Sequence, residues 1–506
     1  MFEIIDNPIL QRNFQEWEDI GLKINSTSSN EAVKLYDSAL TQFTFWADDP
    51  SQGGLIDTLD RLEKADTDFG EIFNDNSLRS VFLDFTLSLF IVLGKTLSLG
   101  LKLLDHTKCY FLDSDIQNET DSLEKLMQRR ENEISFRERK HVEAVGKLSR
   151  LDLLGAANVW EQILQQYPND IHALKFCFYS YLFHGEKQKQ FDLIQKSYPY
   201  FFDQQKITNH YSMIMNGMLS FVNEELQFFR VAERYGRQGL ERNPFDGWAT
   251  HALAHVMEME GRFEEGINFM NMTERNWTKS NHLACHNYWH LSLFNLSTDN
   301  FDAALDLFDE KILPTARQTK KSFNLCDAAS LLYRTYLLKY DDPDRLHLQS
   351  RFEDVFAIVK PYLNHHVIGF CDLHYLMACI GSKHSVEAKN LFETIGGSDL
   401  SIVQEESARI TQNLMESMIL FDAKRYEEVI KILLSIKDSI VSIGGSDAQR
   451  DIFNQLLIVS AMQSKQAANN QDFIDRLNEE RKIFKKNDRF IQQKQFQQKL
   501  LMNTQQ

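Results

Sequence analysis

Apolar positions along this chain recur with the period of an α-helix. Phe263, Ile267 and Met270 follow the i, i+4, i+7 spacing of one helical face, and the same spacing starts again at Phe301 and at Tyr426. Sustained alternation of apolar and polar residues, the pattern of a strand, does not occur. The 506 residues include only 8 Pro and 21 Gly, which also favours helices. The pattern predicts an all-α protein with short connections.

The helical segments resemble one another, which indicates internal repeats. A tetratricopeptide repeat is a pair of antiparallel helices in about 34 residues. Its second helix carries a small residue for close approach, an aromatic residue that fills the gap between repeats and a proline that ends the helix. Ala156, Trp160 and Pro168 have this order, and Ala232 with Pro244 keeps its length. We predict a degenerate tetratricopeptide-like superhelix, an α-solenoid; a generic helical bundle with coincidental matches is the alternative.

The predicted array extends over residues 1–468, and a Gln/Lys-rich segment follows at 469–506. Polar residues near 114–122 predict a loop that enters a new helix. The C-terminal segment places Phe473, Leu477 and Phe490 among its polar residues, which predicts one or two capping helices with a polar outer face. A basic interaction helix is the alternative for this segment.

Charge, cysteines and hydropathy restrict the class of protein. The net charge of −17 argues against general nucleic-acid binding, which needs a basic face. Six scattered cysteines without a pairing pattern predict reduced thiols. The apolar stretch from Val81 contains Asp84 and is too short to span a membrane, so we expect a buried helix there. Without a signal-peptide pattern, a soluble cytoplasmic protein is expected.

Five histidines lie between residues 251 and 290. His251 and His255 are four residues apart, and so are His282, His286 and His290. Random placement of 15 histidines in 506 residues gives about 0.4 pairs at this spacing, whereas the chain has three in one region. On a helix, residues four apart share a face. The excess calls for a chemical or structural reason.

The repeat register places the two outer histidine pairs on neighbouring first helices. One such helix is predicted from about Trp248 to Glu260, and the next from near Cys285. The first pair (His251, His255) and the second pair (His286, His290) would then face one hollow, with Glu258 on the same face. His282 would lie one turn earlier, at or outside the helix start.

This arrangement is typical of a metal site. An i, i+4 histidine pair can supply two ligands, and imidazoles with a carboxylate suit Zn, Fe or Mn. Ala252 after His251 excludes the HExxH protease signature, which needs Glu there. A metal site requires the two pairs to lie within about 8 Å, because ligand distances are near 2.1 Å. The alternative is that these histidines pack, form hydrogen bonds or grip an acidic peptide.

Three further groups of polar residues stand out along the chain. Asp372 and His374 stand near the start of another predicted helix. Ser446 and Gln449 form a capping-box pattern, and Arg450 with Asp451 follows it. Each group also has a structural interpretation, as a helix entrance or a surface ion pair. A salt link within the protein is expected to explain Asp327 and Arg334.

Several segments together resemble the tetratricopeptide repeat protein 38 family, over about residues 29–457. The segments that carry the resemblance are SNEAVKLYDSALTQF, NVWEQILQQYPND, ALKF, NPFDGWATHALAHVMEM, LACHNYWHLSLF, FDAALDLFDEKILP and GGSDAQRDIFNQLLI. The resemblance implies an intracellular all-α repeat protein without an activity to transfer. The positions that match the family pattern are His251, His255, His286, His290, Glu258, Asp372, His374, Gln449, Arg450 and Asp451. His282 departs from that pattern.

Two functional hypotheses follow. In the first, the protein is a binding or scaffold protein whose concave groove holds a protein segment or a small ligand. The groove residues would be Trp248, Asp372, His374, Gln449 and Asp451. In the second, it is a metal-dependent enzyme, for example a hydrolase, with His251, His255, His286 and His290 as ligands. Glu258 would be the base or a fifth ligand, and Arg450 would orient the substrate. Neither hypothesis involves nucleic acid or a membrane span, and the oligomeric state is not readable.

Overall fold

The computed structural model describes residues 11–65, 91–130, 132–202, 210–340, 347–464 and 471–495. These residues form helices, turns and connections and contain no strand, which confirms the all-α prediction. The helices of the first 200 residues are α1 (Phe14–Asp19), α2 (Asn30–Phe45), α3 (Gly54–Ala65), α4 (Val92–Leu104), α5 (Ser114–Arg129), α6 (Phe136–Ser149), α7 (Leu153–Gln166), α8 (Ile171–His184) and α9 (Lys187–Ser197).

The remaining helices include those that carry the histidines. They are α10 (Ser212–Glu225), α11 (Phe229–Arg242), α12 (Gly247–Met259), α13 (Phe263–Trp277), α14 (Asn281–Ser297), α15 (Phe301–Leu307), α16 (Leu313–Thr319), α17 (Ser322–Leu338), α18 (Leu348–Val359), α19 (Gly369–Gly381), α20 (Ser385–Thr394), α21 (Asp399–Val403), α22 (Glu405–Asp422), α23 (Tyr426–Ile436), α24 (Asp447–Gln463) and α25 (Gln471–Phe484). A π-helical turn, Phe308–Ile312, joins α15 to α16, where Pro314 has no N–H to donate.

Consecutive helices pack against each other in pairs, as in α7 with α8, α10 with α11 and α22 with α23. Small residues permit the close approach. Ala232, Gly236 and Gly239 form a stripe on α11, and a Cβ atom on Gly236 would lie 2.8 Å from Leu253 of α12. This pairing is consistent with a helical repeat.

The central helices form a closed ring. α12, α14, α17, α19 and α22 contact each other in that order, and α24 contacts α12, α17 and α22. Helices buried on all sides need no polar face, and every residue of α12 is buried. The polar side chains that these helices do carry are therefore enclosed, and the histidine pairs are among them.

The structure corrects the predicted loop near 114–122, which lies inside α5. The Asp113 side chain accepts hydrogen bonds from the N–H groups of Asp115 and Ile116 and caps the helix. Ile116, Thr120 and Leu123 are buried on one face. The segment is thus an amphipathic helix with a long polar face, and the capping aspartate was the signal for it.

The C-terminal segment 471–495 begins with α25, which packs against α24. Beyond α25 the chain crosses the C-terminal ends of three ring helices. The Lys486 N–H donates to the Met259 carbonyl of α12, the Gln493 amide to Leu296 of α14 and the Lys494 ammonium to Leu338 of α17. Apolar and basic residues of this segment are buried together, so its role is larger than that of a polar cap.

Two other predictions concern cysteines and the stretch from Val81. All six cysteines are buried and free, as expected for reduced thiols. Most of the apolar stretch from Val81 lies outside the described residues, which resume at Ile91 before α4. Within the ranges that the structure covers, every helix is too short or too polar to cross a lipid bilayer.

Candidate metal centre

Helices α12 and α14 bring the two histidine pairs together. His251, His255, His286 and His290 each place a ring nitrogen within 4.8 Å of the others. This spread is within the limit of about 8 Å, and the rings would have to move slightly closer, because two nitrogens bound to one metal at about 2.1 Å are at most about 4.2 Å apart. His255 and His290 have no exposed surface, His251 is 5% exposed, and His286 is the partly exposed member. We call these four residues the histidine cluster.

The helix starts explain which histidines meet. The Asp246 side chain accepts from the N–H groups of Trp248 and Ala249 and starts α12 close to the predicted position. Helix α14 starts at Asn281, four residues before the predicted start near Cys285. His282 is therefore helical, but it lies outside the cluster because its Nε2 donates to Asp48 and its Nδ1 accepts from Lys321.

Carboxylates hold two of the four imidazoles. His290 Nδ1 donates to Glu258 Oε2 at 3.1 Å, and His286 Nδ1 lies 3.0 Å from both carboxylate oxygens of Asp327. A proton on Nδ1 leaves the Nε2 lone pair available for a metal. His290 Nε2 is buried and has no hydrogen-bond partner among the described residues. This pattern is typical of metal-ligating histidine.

The first pair is already at ligand spacing. His251 Nε2 and His255 Nε2 are 2.9 Å apart. Two nitrogens bound to one metal at about 2.1 Å are about 3.0 Å apart in adjacent octahedral positions and about 3.4 Å apart in a tetrahedron. A metal would replace the hydrogen bond between these rings with only a small movement of either side chain.

Burial keeps His251, His255 and His290 in the form that binds metals. Desolvation lowers the pKa of His251 well below its ordinary value, and the neighbouring imidazoles lower it further. The same cause, followed by the charge of His255, lowers the pKa of His290, and burial also lowers the pKa of His255. Neutral imidazole is the metal ligand, so protons do not compete for these nitrogens near neutral pH.

Glu258 lies behind His290 instead of among the ligand atoms. Its Oε2 accepts from His290, and its Oε1 accepts from Lys485 at 2.9 Å. Burial alone would raise the pKa of Glu258, but Lys485 and His290 hold it well below its usual range. The carboxylate is thus ionised, and its contacts fit an outer partner of a ligand more closely than a base or fifth ligand.

The predicted residues on α24 brace that helix. Arg450 donates to the Gly444 carbonyl at 3.0 Å and pairs with Asp447 at 2.6 Å. Gln449 completes the capping box with Ser446, as predicted. Asp451 pairs with Arg481 of α25 at 2.6 Å. These contacts fix α24 in the ring and position no side chain directly against the cluster.

Asp327 and Arg334 each form a salt link with a neighbouring helix, as expected. Asp327 binds His286, whereas Arg334 donates to the Ala448 carbonyl at 2.6 Å and lies 3.8 Å from Asp451. The two residues therefore link α17 to α14 and to α24 separately.

Asp372, His374 and Trp248 are not members of the cluster. His374 Nδ1 donates to the Phe370 carbonyl at 2.7 Å, and Asp372 lies 3.3 Å from His366 Nδ1. The Trp248 ring is 6.0 Å from the His251 ring, and the Lys175 ammonium lies 4.4 Å from the Trp248 ring centroid. Of these three residues, Trp248 contacts the cluster directly.

A cavity of about 100 Å³ lies near the starts of α14 and α17. Its lining includes Phe43, Trp46, Tyr179, Phe183, His282 and Phe323. His282 precedes His286 by one helical turn, and Phe323 precedes Asp327 by one turn. No histidine of the cluster lines the cavity, which approaches His286 to about one helical turn, and its lining is mainly apolar.

Sequence reasoning did not identify Lys485 or Glu224 as partners of the histidines. Glu224 Oε2 lies 3.3 Å from His255 Nδ1. A usable signal was the pair of acidic residues that ends the apolar segment MLSFVNEE of α10. Lys485 had no local signal, because it lies in a segment of mixed charge. No protein-family model matches this chain.

Proposed function

We propose that this protein binds a divalent transition metal at the histidine cluster and acts as a metal-dependent enzyme on a small molecule. The observation that carries the proposal is the approach of four largely buried ring nitrogens to within 4.8 Å, with two rings oriented by carboxylates. Such outer carboxylates fix the tautomer and orientation of metal-binding histidine.

The free-energy cost of a buried nitrogen without a hydrogen bond also supports this proposal. His290 Nε2 is buried and has no hydrogen-bond partner in the described ranges. Such an atom costs about 1–3 kcal/mol. A metal would satisfy the Nε2 atoms, and the charges of Glu258 and Asp327 would offset its positive charge.

The four nitrogen ligands restrict which metal suits this site. Nitrogen ligands suit Zn and Fe better than Mn, which prefers oxygen. Four nitrogens complete the tetrahedral shell of Zn and leave no open position, as in structural sites. A six-coordinate ion such as Fe(II) keeps two positions for water and substrate. We therefore favour Fe if the centre is catalytic. Four-coordinate Zn would instead indicate a structural centre.

The cavity supports a small and mainly apolar substrate. Its lining is mainly apolar, and it includes His282, one helical turn from His286. Glu258 would tune His290, and Arg450 would support the site through α24. The hydrolase version is weaker, because Glu258 is engaged on both oxygens and does not face the metal position.

The position of the C-terminal segment weakens the scaffold hypothesis. The C-terminal segment 471–495 already covers the C-terminal ends of α12, α14 and α17, so a peptide would have to bind elsewhere. The packing of neighbouring helices in pairs supports a tetratricopeptide-like array, and the resemblance to the tetratricopeptide repeat protein 38 family remains part of this proposal.

Elemental analysis of protein expressed in metal-supplemented medium tests the centre. We expect at least one metal per chain in the wild type, loss of that metal in His290→Ala, and retention in His374→Ala, a buried histidine outside the cluster. Less than about 0.1 metal per chain in the wild type would contradict the proposal.

The proposed catalytic role requires an open coordination position on the metal, which needs a separate test. In Co²⁺-substituted protein, an open coordination position binds azide and changes the visible spectrum. We expect this change in the wild type. A spectrum that azide leaves unaltered would indicate a closed, structural metal.

A further inference from the structure

A second group of buried polar residues lies on the side of His255 that faces away from the histidine cluster. Helix α10 ends with Glu224 and Glu225, and the two carboxylates and His255 place one ligand atom each within 4.8 Å of one another. All three residues are buried, with exposures of 1%, 3% and 0%. His255 faces the histidine cluster with Nε2, so the nitrogen on the carboxylate side is Nδ1.

The polar atoms at this position lack hydrogen bonds. His255 Nδ1 and both carboxylate oxygens of Glu224 have no hydrogen-bond partner within the part of the chain that the structure describes. The 3.3 Å between Nδ1 and Glu224 Oε2 is short enough for an ion pair but does not have hydrogen-bond geometry. A buried acceptor of this kind costs free energy unless a ligand satisfies it.

The surrounding charges leave one carboxylate uncompensated. Lys187 and Arg450 both pair with Asp447, and each lies 3.5 Å from Glu225 Oε2. The Asp447 N–H also donates to Glu225. Two cations thus face two carboxylates, and Glu224 remains. A buried carboxylate without a counter-charge holds either a proton or a cation.

The proton alone does not explain the geometry. A carboxyl proton would also neutralise Glu224. A protonated carboxyl beside a neutral imidazole would be expected to donate to Nδ1. Instead the two groups stand side by side without that hydrogen bond, as ligand atoms around a common centre do.

We propose that Glu224, Glu225 and His255 hold a second divalent cation, and that the His255 imidazole bridges it to the metal of the histidine cluster. The bridge rests on the proposed function, whereas the cation site stands on its own residues. Mixed carboxylate and imidazole donors suit Zn, Fe or Mn.

Metal binding on both sides of His255 releases protons. Each nitrogen of His255 donates its lone pair to one metal, so the ring gives up its remaining proton. Glu224 binds the second cation as a carboxylate, so any carboxyl proton that it carries leaves to solvent together with the proton of His255. Metal–nitrogen bonds near 2.1 Å on each side of the ring place the two cations about 6 Å apart.

Metal stoichiometry of the full chain tests this inference, with Zn²⁺ as the probe. We expect two Zn²⁺ per chain in the wild type and one each in Glu224→Gln and His286→Ala, since each variant alters one site. Glu224→Gln keeps the shape of the side chain, and Glu264→Gln on the exposed surface is the matched control that should retain both ions. Thermal unfolding followed by circular dichroism verifies that each variant is folded.

The outcomes separate the two proposals. One ion in the wild type that Glu224→Gln retains and His286→Ala loses would overturn the second site and leave the histidine cluster. One ion that Glu224→Gln loses and His286→Ala retains would support the cation site and remove the proposed function together with the bridge. If Glu224→Gln does not fold, titration of wild-type apoprotein decides, because saturation at one ion overturns the inference.

A spectroscopic measurement addresses the bridge itself. Two Cu²⁺ ions on one imidazole are magnetically coupled, so we expect a coupled signal in electron paramagnetic resonance of the Cu²⁺-loaded wild type. Glu224→Gln should give the signal of an isolated ion. Isolated signals in a wild type that holds two Cu²⁺ would overturn the shared ring.

Discussion

Replacement of Lys485 by methionine tests whether the C-terminal segment supports the histidine cluster. The Lys485 ammonium lies 2.9 Å from Glu258 Oε1, and the two side chains are 4% and 1% exposed. Glu258 in turn holds His290. Lys485→Met keeps the length and apolar contacts of the side chain and removes its charge, so the change isolates the ion pair.

The expected loss of stability is large. At 2.9 Å and an effective dielectric constant of about 20, the attraction between the charges is about 6 kcal/mol. Part of this is retained when Glu258 keeps its hydrogen bond to His290, and removal of one partner of a buried pair costs about 3–5 kcal/mol. We expect a decrease of that size in the free energy of unfolding at pH 7, from denaturant titration.

The decrease should depend on pH in a defined direction. The pKa of Glu258 is held well below its ordinary value. The ion pair therefore stabilises the protein fully at pH values above the pKa of Glu258 in the unfolded chain, and this stabilisation is lost as the pH falls through the pKa of Glu258 in the folded protein. Without Lys485, burial raises the pKa and Glu258 takes up a proton. The difference between variant and wild type should therefore be greatest at about pH 8 and smaller at about pH 5.

A double variant supplies the control. Glu258→Gln with Lys485→Met removes both charges, so its loss should be smaller than the sum of the two single losses by about 2 kcal/mol or more. A loss below about 1 kcal/mol for Lys485→Met, the value of an exposed pair, would refute the reasoning. Additive losses would also refute it, because they would show that the two groups do not interact.

Two further predictions concern the cluster and the acid stability of the fold. Asp327→Asn should lower metal affinity about 10–100-fold in a chelator competition titration, because His286 loses its outer carboxylate, whereas Asp306→Asn on the surface should not; equal affinities would contradict an orienting role. Burial lowers the pKa of His106 to about 3. Because the unfolded chain takes up a proton at about pH 6.5 and the folded protein does not, this residue should destabilise the fold by about 1.4 kcal/mol per pH unit as pH falls from about 6.5 to 3. Denaturant titrations at several pH values should show a shallower decline for His106→Phe, and parallel declines would count against the buried neutral histidine.

The elements with a strong local pattern could be predicted from the sequence. Helix α12 lies at Gly247–Met259, where Trp248 to about Glu260 was expected, because the Asp246 cap and the periodic apolar residues are local signals. The same-face placement of the histidine pairs also follows from helical geometry. Helix α14 starts earlier than predicted, at Asn281, because its first turn makes tertiary contacts: Asn281 and His282 both bind Asp48.

The partners of the histidines could not be predicted in the same way. Asp327 is 41 positions from His286, and Lys485 is 227 positions from Glu258. The ring brings these residues together through contacts between helices that are distant in sequence. A local pattern states which face a side chain occupies, but it does not state which distant residue that face will meet.

The separation between Lys485 and Glu258 has a consequence for synthesis of the chain. The ribosome adds about 5–20 residues per second, so the 227 positions between them take roughly 10–45 s. During this interval the helices that carry the histidines can pair with their neighbours, while the ion pair behind His290 cannot form. The nascent chain therefore presents the histidines and carboxylates without the ion pair that later holds Glu258. Any metal that enters early does so before the C-terminal segment closes over α12, α14 and α17.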